Sequence, residues 1–75
     1  MKELTYFLVS NLVENKDAIK LTEEVTGSHI HLILEVAPDD IGKVIGKGGR
    51  IAKAIRTVLK ASATKENVKV TLEIL

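Results

Sequence analysis

Val44-Ile45-Gly46-Lys47-Gly48-Gly49-Arg50-Ile51 puts three glycines into the four positions 46–49. Inside a helix each would cost about 1 kcal/mol against alanine, yet helix-like apolar spacing lies on both sides. Ile41, Val44 and Ile45 precede the glycines; Ile51, Ile55, Val58 and Leu59 follow at the i, i+4, i+7, i+8 positions of one helix face. The economical reading is helix, tight glycine loop, helix. Gly46 is expected to end the first helix at a left-handed position, and Gly48 and Gly49 to leave N–H groups bare at the start of the second. Such a start attracts phosphate, because unpaired N–H groups and the positive end of the helix dipole point outward there. Lys47 and Arg50 add full charges at the same place.

Seventy-five residues make one small domain, which buries only about 60% of its unfolded surface. With no cysteine, neither a disulfide nor a thiolate zinc site supplements the core. Aliphatic packing has to hold the fold, and the only aromatic residues, Tyr6 and Phe7, are too few for a base-stacking platform. The amino-terminal apolar run is broken by Ser10 and Asn11, unlike a signal peptide, and no stretch is long enough to span a membrane. A cytoplasmic protein is expected.

The net charge of +1 hides an asymmetry. Residues 1–40 carry three lysines against eight acidic residues, a balance of −5; residues 41–75 carry eight basic residues against two glutamates, +6. From Ile41 to Lys65 there are seven basic residues and no acidic one. Charge runs are commonly solvated faces, but this distribution also fits an anionic partner meeting one end of the molecule.

Apolar Leu4, Phe7, Leu8 and Leu12, widened by Val9 and Val13, predict a helix over about residues 3–15 that covers a sheet. Ile19 and Leu21 alternate with Lys20 and Thr22, predicting a strand over residues 18–26 whose Glu23-Glu24 part is frayed or at an edge. Gly27-Ser28 suits a two-residue hairpin turn. Residues 29–36 form a stronger strand, with Ile30, Leu32, Leu34 and Val36 on one face and His29, His31, Ile33 and Glu35 on the other. Pro38-Asp39-Asp40 reads as a helix start, its carboxylates complementing the dipole. The second glycine-flanking helix is predicted over residues 50–63, and a closing strand over residues 68–74. The fold class is therefore α+β in the order α-β-β-α-α-β. The first two strands pair as an antiparallel hairpin and the third joins in parallel through a right-handed crossover. The helices pack on one face of this three-stranded mixed sheet, and residues 1–75 read as a single domain.

The glycine stretch does not fit a Walker A loop, since Gly42 to Gly46 is one residue short and Gly48 stands where serine or threonine is needed. It lacks the third glycine and the preceding strand of a dinucleotide fingerprint. Two nucleic-acid motifs survive. Gly46-Lys47-Gly48-Gly49 is a Gly-x-x-Gly loop of the kind that clamps about four backbone nucleotides. Ile45, Gly46, Gly48 and Ala52 also meet a helix-hairpin-helix pattern that grips duplex phosphates; predicted strands on both sides favour the first motif.

In that context the chain resembles type II KH domains, and more closely the small bacterial single-KH RNA-binding proteins of the KhpA type. The resemblance covers essentially the full length and is most specific over residues 41–50, continuing through Lys53-Ala54-Ile55-Arg56-Thr57. It implies binding of single-stranded RNA, an RNA-chaperone role, and a homodimer or a heterodimer with a larger KH-containing protein of the KhpB type, a pair tied in some bacteria to cell-length and cell-wall homeostasis. One departure is Ala52, where many KH domains carry a large aliphatic residue three places after the last loop glycine; a shallower apolar pocket is expected beside the clamp.

The residues expected to bind RNA are Lys43, Ile45, Gly46, Lys47, Gly48, Gly49, Arg50 and Lys53. Arg56 and Lys60 extend the basic field or form a solvated face. His29 and His31 share a strand face without an evident third ligand, so no metal is expected. No nucleophile–base pair is visible, and no enzyme or cofactor is expected. Two other readings stay open: an adaptor that dimerises through the apolar stripe of the first helix, and a DNA binder using the helix-hairpin-helix pattern.

Overall fold

The computed structural model describes all 75 residues. Helix α1 runs Lys2–Ser10. Strands β1 (Lys20–Thr26) and β2 (His29–Glu35) follow, then a 3-10 turn Pro38–Asp40 leading into α2 (Ile41–Ile45). After the glycine loop come α3 (Arg50–Lys65) and β3 (Lys69–Ile74). The element order is the expected one, and the sheet order is β1-β2-β3.

Alternation sets the register. Leu21 faces Leu34 and Val25 faces Ile30 across the antiparallel pair; Ile30, Leu32 and Leu34 face Val70, Leu72 and Ile74 across the parallel pair. This apolar face lies under the helices except at Val25, which is exposed, and its centre, Leu32 and Leu34, is fully buried with Val9, Val44 and Leu59. β1 is an edge strand, as its glutamates suggest, but it is not frayed: the ladder runs unbroken to Thr26 opposite His29. Gly27, at φ +59, opens the two-residue turn, and Ser28 has no positive φ, which matches a type II′ hairpin.

The helices depart from expectation in length and rotation. α1 stops at Ser10, where the Ser10 hydroxyl and the Asn11 side-chain amide both donate to the Phe7 carbonyl and turn the chain out of the helix. A 3-10 turn at Lys16–Ala18 takes up the first residue assigned to the strand, Ala18, and the strand itself begins at Lys20. The buried side of α1 is Thr5 and Val9, and Phe7 is 64% exposed. Thr5 is tolerated there because its hydroxyl donates to the Met1 carbonyl at 2.8 Å. α3 likewise buries Ala52, Ile55, Leu59 and Ala63, while Val58 turns outward. Two alanines on the inward stripe let a 16-residue helix lie close over the sheet.

Candidate nucleic-acid interface

α2 ends at Gly46, whose N–H donates to the Gly42 carbonyl at 2.8 Å. Gly46 has φ 75 and ψ 173, a positive-φ extended conformation that belongs to glycine, not the left-handed helical one expected. A Cβ there would lie 2.6 Å from Cγ1 of Ile51. Ile51 thus packs directly over the loop's first glycine and ties the start of α3 to the end of α2.

Lys47–Gly49 form a single 3-10 turn. Gly48 (φ 66) and Gly49 (φ 77) are left-handed, and a Cβ on either would meet nothing within 4 Å. The turn consumes one of the two N–H groups expected to be bare: Gly49 donates to the Gly46 carbonyl at 3.1 Å, and Arg50 donates to that of Lys47. Gly46 lies inside no hydrogen-bonded turn, so the N–H groups of Lys47 and Gly48 close none back onto α2. The open amides of the loop therefore lie one step earlier than the sequence suggests.

Around these amides the side chains divide into two groups. Lys47, Arg50 and Lys53 are exposed and belong to no ion pair. Ile45 is half-buried and stands outside the core cluster, so it is available beside the loop. Lys43 is not a free cation: its Nζ lies 3.2 Å from Glu14 Oε1 and 3.4 Å from Asp40 Oδ1. The Glu14 contact raises its pKa; desolvation opposes this, and the hydrogen bond to Asp40 adds a smaller upward pull.

Asp40 itself is 2% exposed and does more than complement a helix dipole. Its two carboxylate oxygens accept the backbone N–H groups of Asn15, at 3.1 Å, and Glu14, at 3.2 Å. Those two bonds, Asn15 first, hold its pKa below the usual carboxylate range, against burial, with Lys43 adding a smaller pull. The segment after α1 is thereby bolted to the start of α2. Neither residue's local sequence signals a partner so far along the chain.

Arg56 is also committed. Its guanidinium donates from Nε (3.2 Å) and Nη2 (3.0 Å) to the carbonyl of Leu72 on edge strand β3. This corrects the picture of a purely solvated face. On the open side of the sheet, Thr71 Oγ1 joins His29 Nε2 (3.1 Å) and His31 Nδ1 (2.7 Å), and His31 Nε2 lies 3.4 Å from Glu73 Oε1. No group of three metal-ligating side chains exists in the molecule. No helix is long and apolar enough to cross a membrane.

None of the surface grooves is lined by Gly46–Gly49 themselves, in keeping with Ala52 being 4% exposed and turned into the core. A groove of about 450 Å³ lies between α1 and α3, walled by Phe7, Leu8, Leu12, Ile51, Ala54 and Val58.

Comparison with known proteins agrees with this architecture. The model of the family described as "KhpA/KhpB, KH domain" matches residues 2–74. An RNA-binding protein KhpA of Clostridium perfringens is 52% identical over 75 residues, covering all of both chains. The RNA-binding protein KhpA of Chlamydia trachomatis is 48% identical over all of this chain and 96% of its own length, and that of Halalkalibacterium halodurans 45% over all of this chain and 99% of its own. The family is a non-enzymatic one. A three-stranded mixed sheet in the order α-β-β-α-α-β, a glycine loop between two helices and a family match over nearly every residue together establish that the chain belongs to the KhpA/KhpB KH-domain family.

Proposed function

We propose that this chain is a cytoplasmic single-stranded RNA-binding protein that grips the phosphate backbone at Gly46–Gly49 and serves as an RNA chaperone. The observation that carries the reading is the loop itself. Two N–H groups that close no turn back onto α2, at Lys47 and Gly48, sit beside open space at Gly48 and Gly49, between exposed, unpaired Lys47 and Arg50. Backbone amides and free cations converging on one open point form an anion site. Ile45 offers the apolar contact on which a base can rest, and Lys53 extends the charge along α3. Lys43 joins the site only by leaving Glu14. The KhpA relatives, described as RNA-binding proteins, support the same ligand.

The test is competition. Labelled single-stranded RNA bound to the protein should be displaced by unlabelled single strand and not by duplex DNA. Displacement by duplex would instead support the helix-hairpin-helix alternative. Contacts from three or four cationic groups give a slope of log affinity against log salt of about −2 to −3 on a single strand.

A second reading rests on the groove between α1 and α3. Phe7 is 64% and Val58 43% exposed beside an apolar channel, which suits pairing with a second KH-containing chain: another copy, or a larger partner of the KhpB type. In this reading the pair acts together in cell-length and cell-wall homeostasis. Sedimentation of the purified protein should show a dimer that Phe7→Glu converts to monomer; a wild-type monomer leaves only the heterologous partner.

A further inference from the structure

The sheet order β1-β2-β3 leaves β1 as an open edge whose only ladder partner is β2. The ladder fixes which of its main-chain groups are open. Lys69 donates to the Ser28 carbonyl and Leu75 to that of Leu34, so the even-numbered residues of β2 bond β3. The odd-numbered ones, His29, His31, Ile33 and Glu35, therefore bond their partners Thr26, Glu24, Thr22 and Lys20. The N–H and C=O groups of Leu21, Glu23 and Val25 are left pointing away from the sheet.

The side chains of those same residues stand on the helix side of the sheet, opposite Leu34, Leu32 and Ile30. Leu21 lines a groove of about 420 Å³ with Ile19 and Tyr6, and Lys2 and Glu3 of α1 complete its walls. Val25 is 62% exposed. Between these two apolar positions lie Glu23 and Glu24, exposed and in no ion pair. Lys2 stands beside Glu3 in the chain and Lys20 opposite Glu35 in the ladder, so the two glutamates dominate the charge at the middle of the edge.

A second copy fits this edge poorly. Two β1 strands paired antiparallel in full overlap set Glu23 directly opposite Glu23 and bring no opposite charges together. A strand with two adjacent basic residues does the reverse: it meets Glu23 on one face of the sheet and Glu24 on the other.

We infer that the β1 edge takes an extended, lysine- or arginine-rich segment of a partner protein as a fourth, antiparallel strand. The register gives the segment its pattern. Apolar, basic, basic, polar and apolar residues, in chain order, lie opposite Val25, Glu24, Glu23, Thr22 and Leu21. Bonds to the open main chain hold the segment, and its second apolar side chain enters the groove beside Ile19 and Tyr6. The inference is independent of the RNA reading, because no residue of the glycine loop borders this groove.

The test uses a synthetic peptide, acetyl-Thr-Val-Lys-Arg-Thr-Ile-Thr-amide, titrated into the isotope-labelled full chain and followed by NMR. One control peptide carries Glu-Glu in place of Lys-Arg; another is N-methylated at Val, Arg and Ile, which face Val25, Glu23 and Leu21. Amide hydrogen exchange should slow at Leu21, Glu23 and Val25 and stay unchanged at Thr22 and Glu24, which already donate to β2. Glu23→Lys/Glu24→Lys, its fold verified by circular dichroism, should lose about tenfold in affinity for the basic peptide and gain affinity for the acidic one. No binding of the basic peptide at millimolar concentration, equal binding of the N-methylated one, or slowed exchange at Phe7 and Leu8 in place of β1 overturns the inference. Slow exchange at Leu21, Glu23 and Val25 without peptide, growing with protein concentration, overturns it in favour of a second copy.

Discussion

The carboxylate of Asp40 holds the backbone N–H of Asn15 at 3.1 Å, joining the segment behind α1 to the turn that starts α2. The two stand 25 positions apart in the chain, with the hairpin between them. This bond, with its neighbour to Glu14, fixes the short helix that carries the glycine loop to the rest of the domain.

Asp40→Asn keeps the shape and removes the charge that accepts both amides. Because the folded-state pKa of Asp40 is lowered, its contribution is complete above the ordinary carboxylate value of about 4 and is lost as the pH falls through the lower folded value. Thermal unfolding from pH 7 down to pH 2 should show a lower midpoint for Asp40→Asn at neutral pH and a smaller acid-induced drop than in the wild type. Parallel curves would mean that other carboxylates govern the acid limb.

The loop glycines are unequal. Gly46→Ala drives a methyl to 2.6 Å from Ile51 at a positive φ, and should cost about 2–4 kcal/mol from overpacking and strain together. Gly48→Ala meets open space and carries only the left-handed penalty, about 1–2 kcal/mol. Urea titration of the two variants reads the difference directly, and equal destabilisation would contradict the packing of Ile51 over Gly46.

Side chains on the helix layer should divide as their burial does. Leu59→Ala opens the core and should cost about 2–5 kcal/mol. Phe7→Ser, at a residue 64% exposed, should change monomer stability by less than about 0.5 kcal/mol. If Phe7→Ser destabilises as much as Leu59→Ala at protein concentrations where the chain is monomeric, the rotation of α1 described above is wrong.

Much of this was legible in the sequence because it is written in local patterns. Period-two alternation in β2, the Gly27-Ser28 turn and the glycines between two apolar helical runs gave the element order, the sheet and the loop. What escaped depends on residues meeting across the chain. The spacing of Leu4, Phe7 and Leu8 is satisfied by a range of rotations about the axis of α1. Only the packing of Val9 onto the sheet and of Leu8 against α3 selects the one that exposes Phe7. Asp40 carries an ordinary helix-start signature, and its amide partners belong to a turn with no pattern of its own. Lys43 and Lys53 look alike in sequence, yet Glu14 neutralises the first and leaves the second free. Arg56 bonds a main-chain carbonyl, a partner that no side-chain pattern announces.

The central claim is that the open amides and free cations at Gly46–Gly49 hold RNA phosphate. Lys47→Asp/Gly48→Asp tests it most directly, since it places two carboxylates at that point. Position 48 is left-handed and surrounded by open space, a conformation that aspartate adopts more readily than most residues, so the fold should survive. RNA binding by anisotropy, alongside circular dichroism, is predicted to show an unchanged fold and binding lost to below detection. Unchanged RNA affinity in a folded variant would contradict the clamp and place the RNA elsewhere on the molecule.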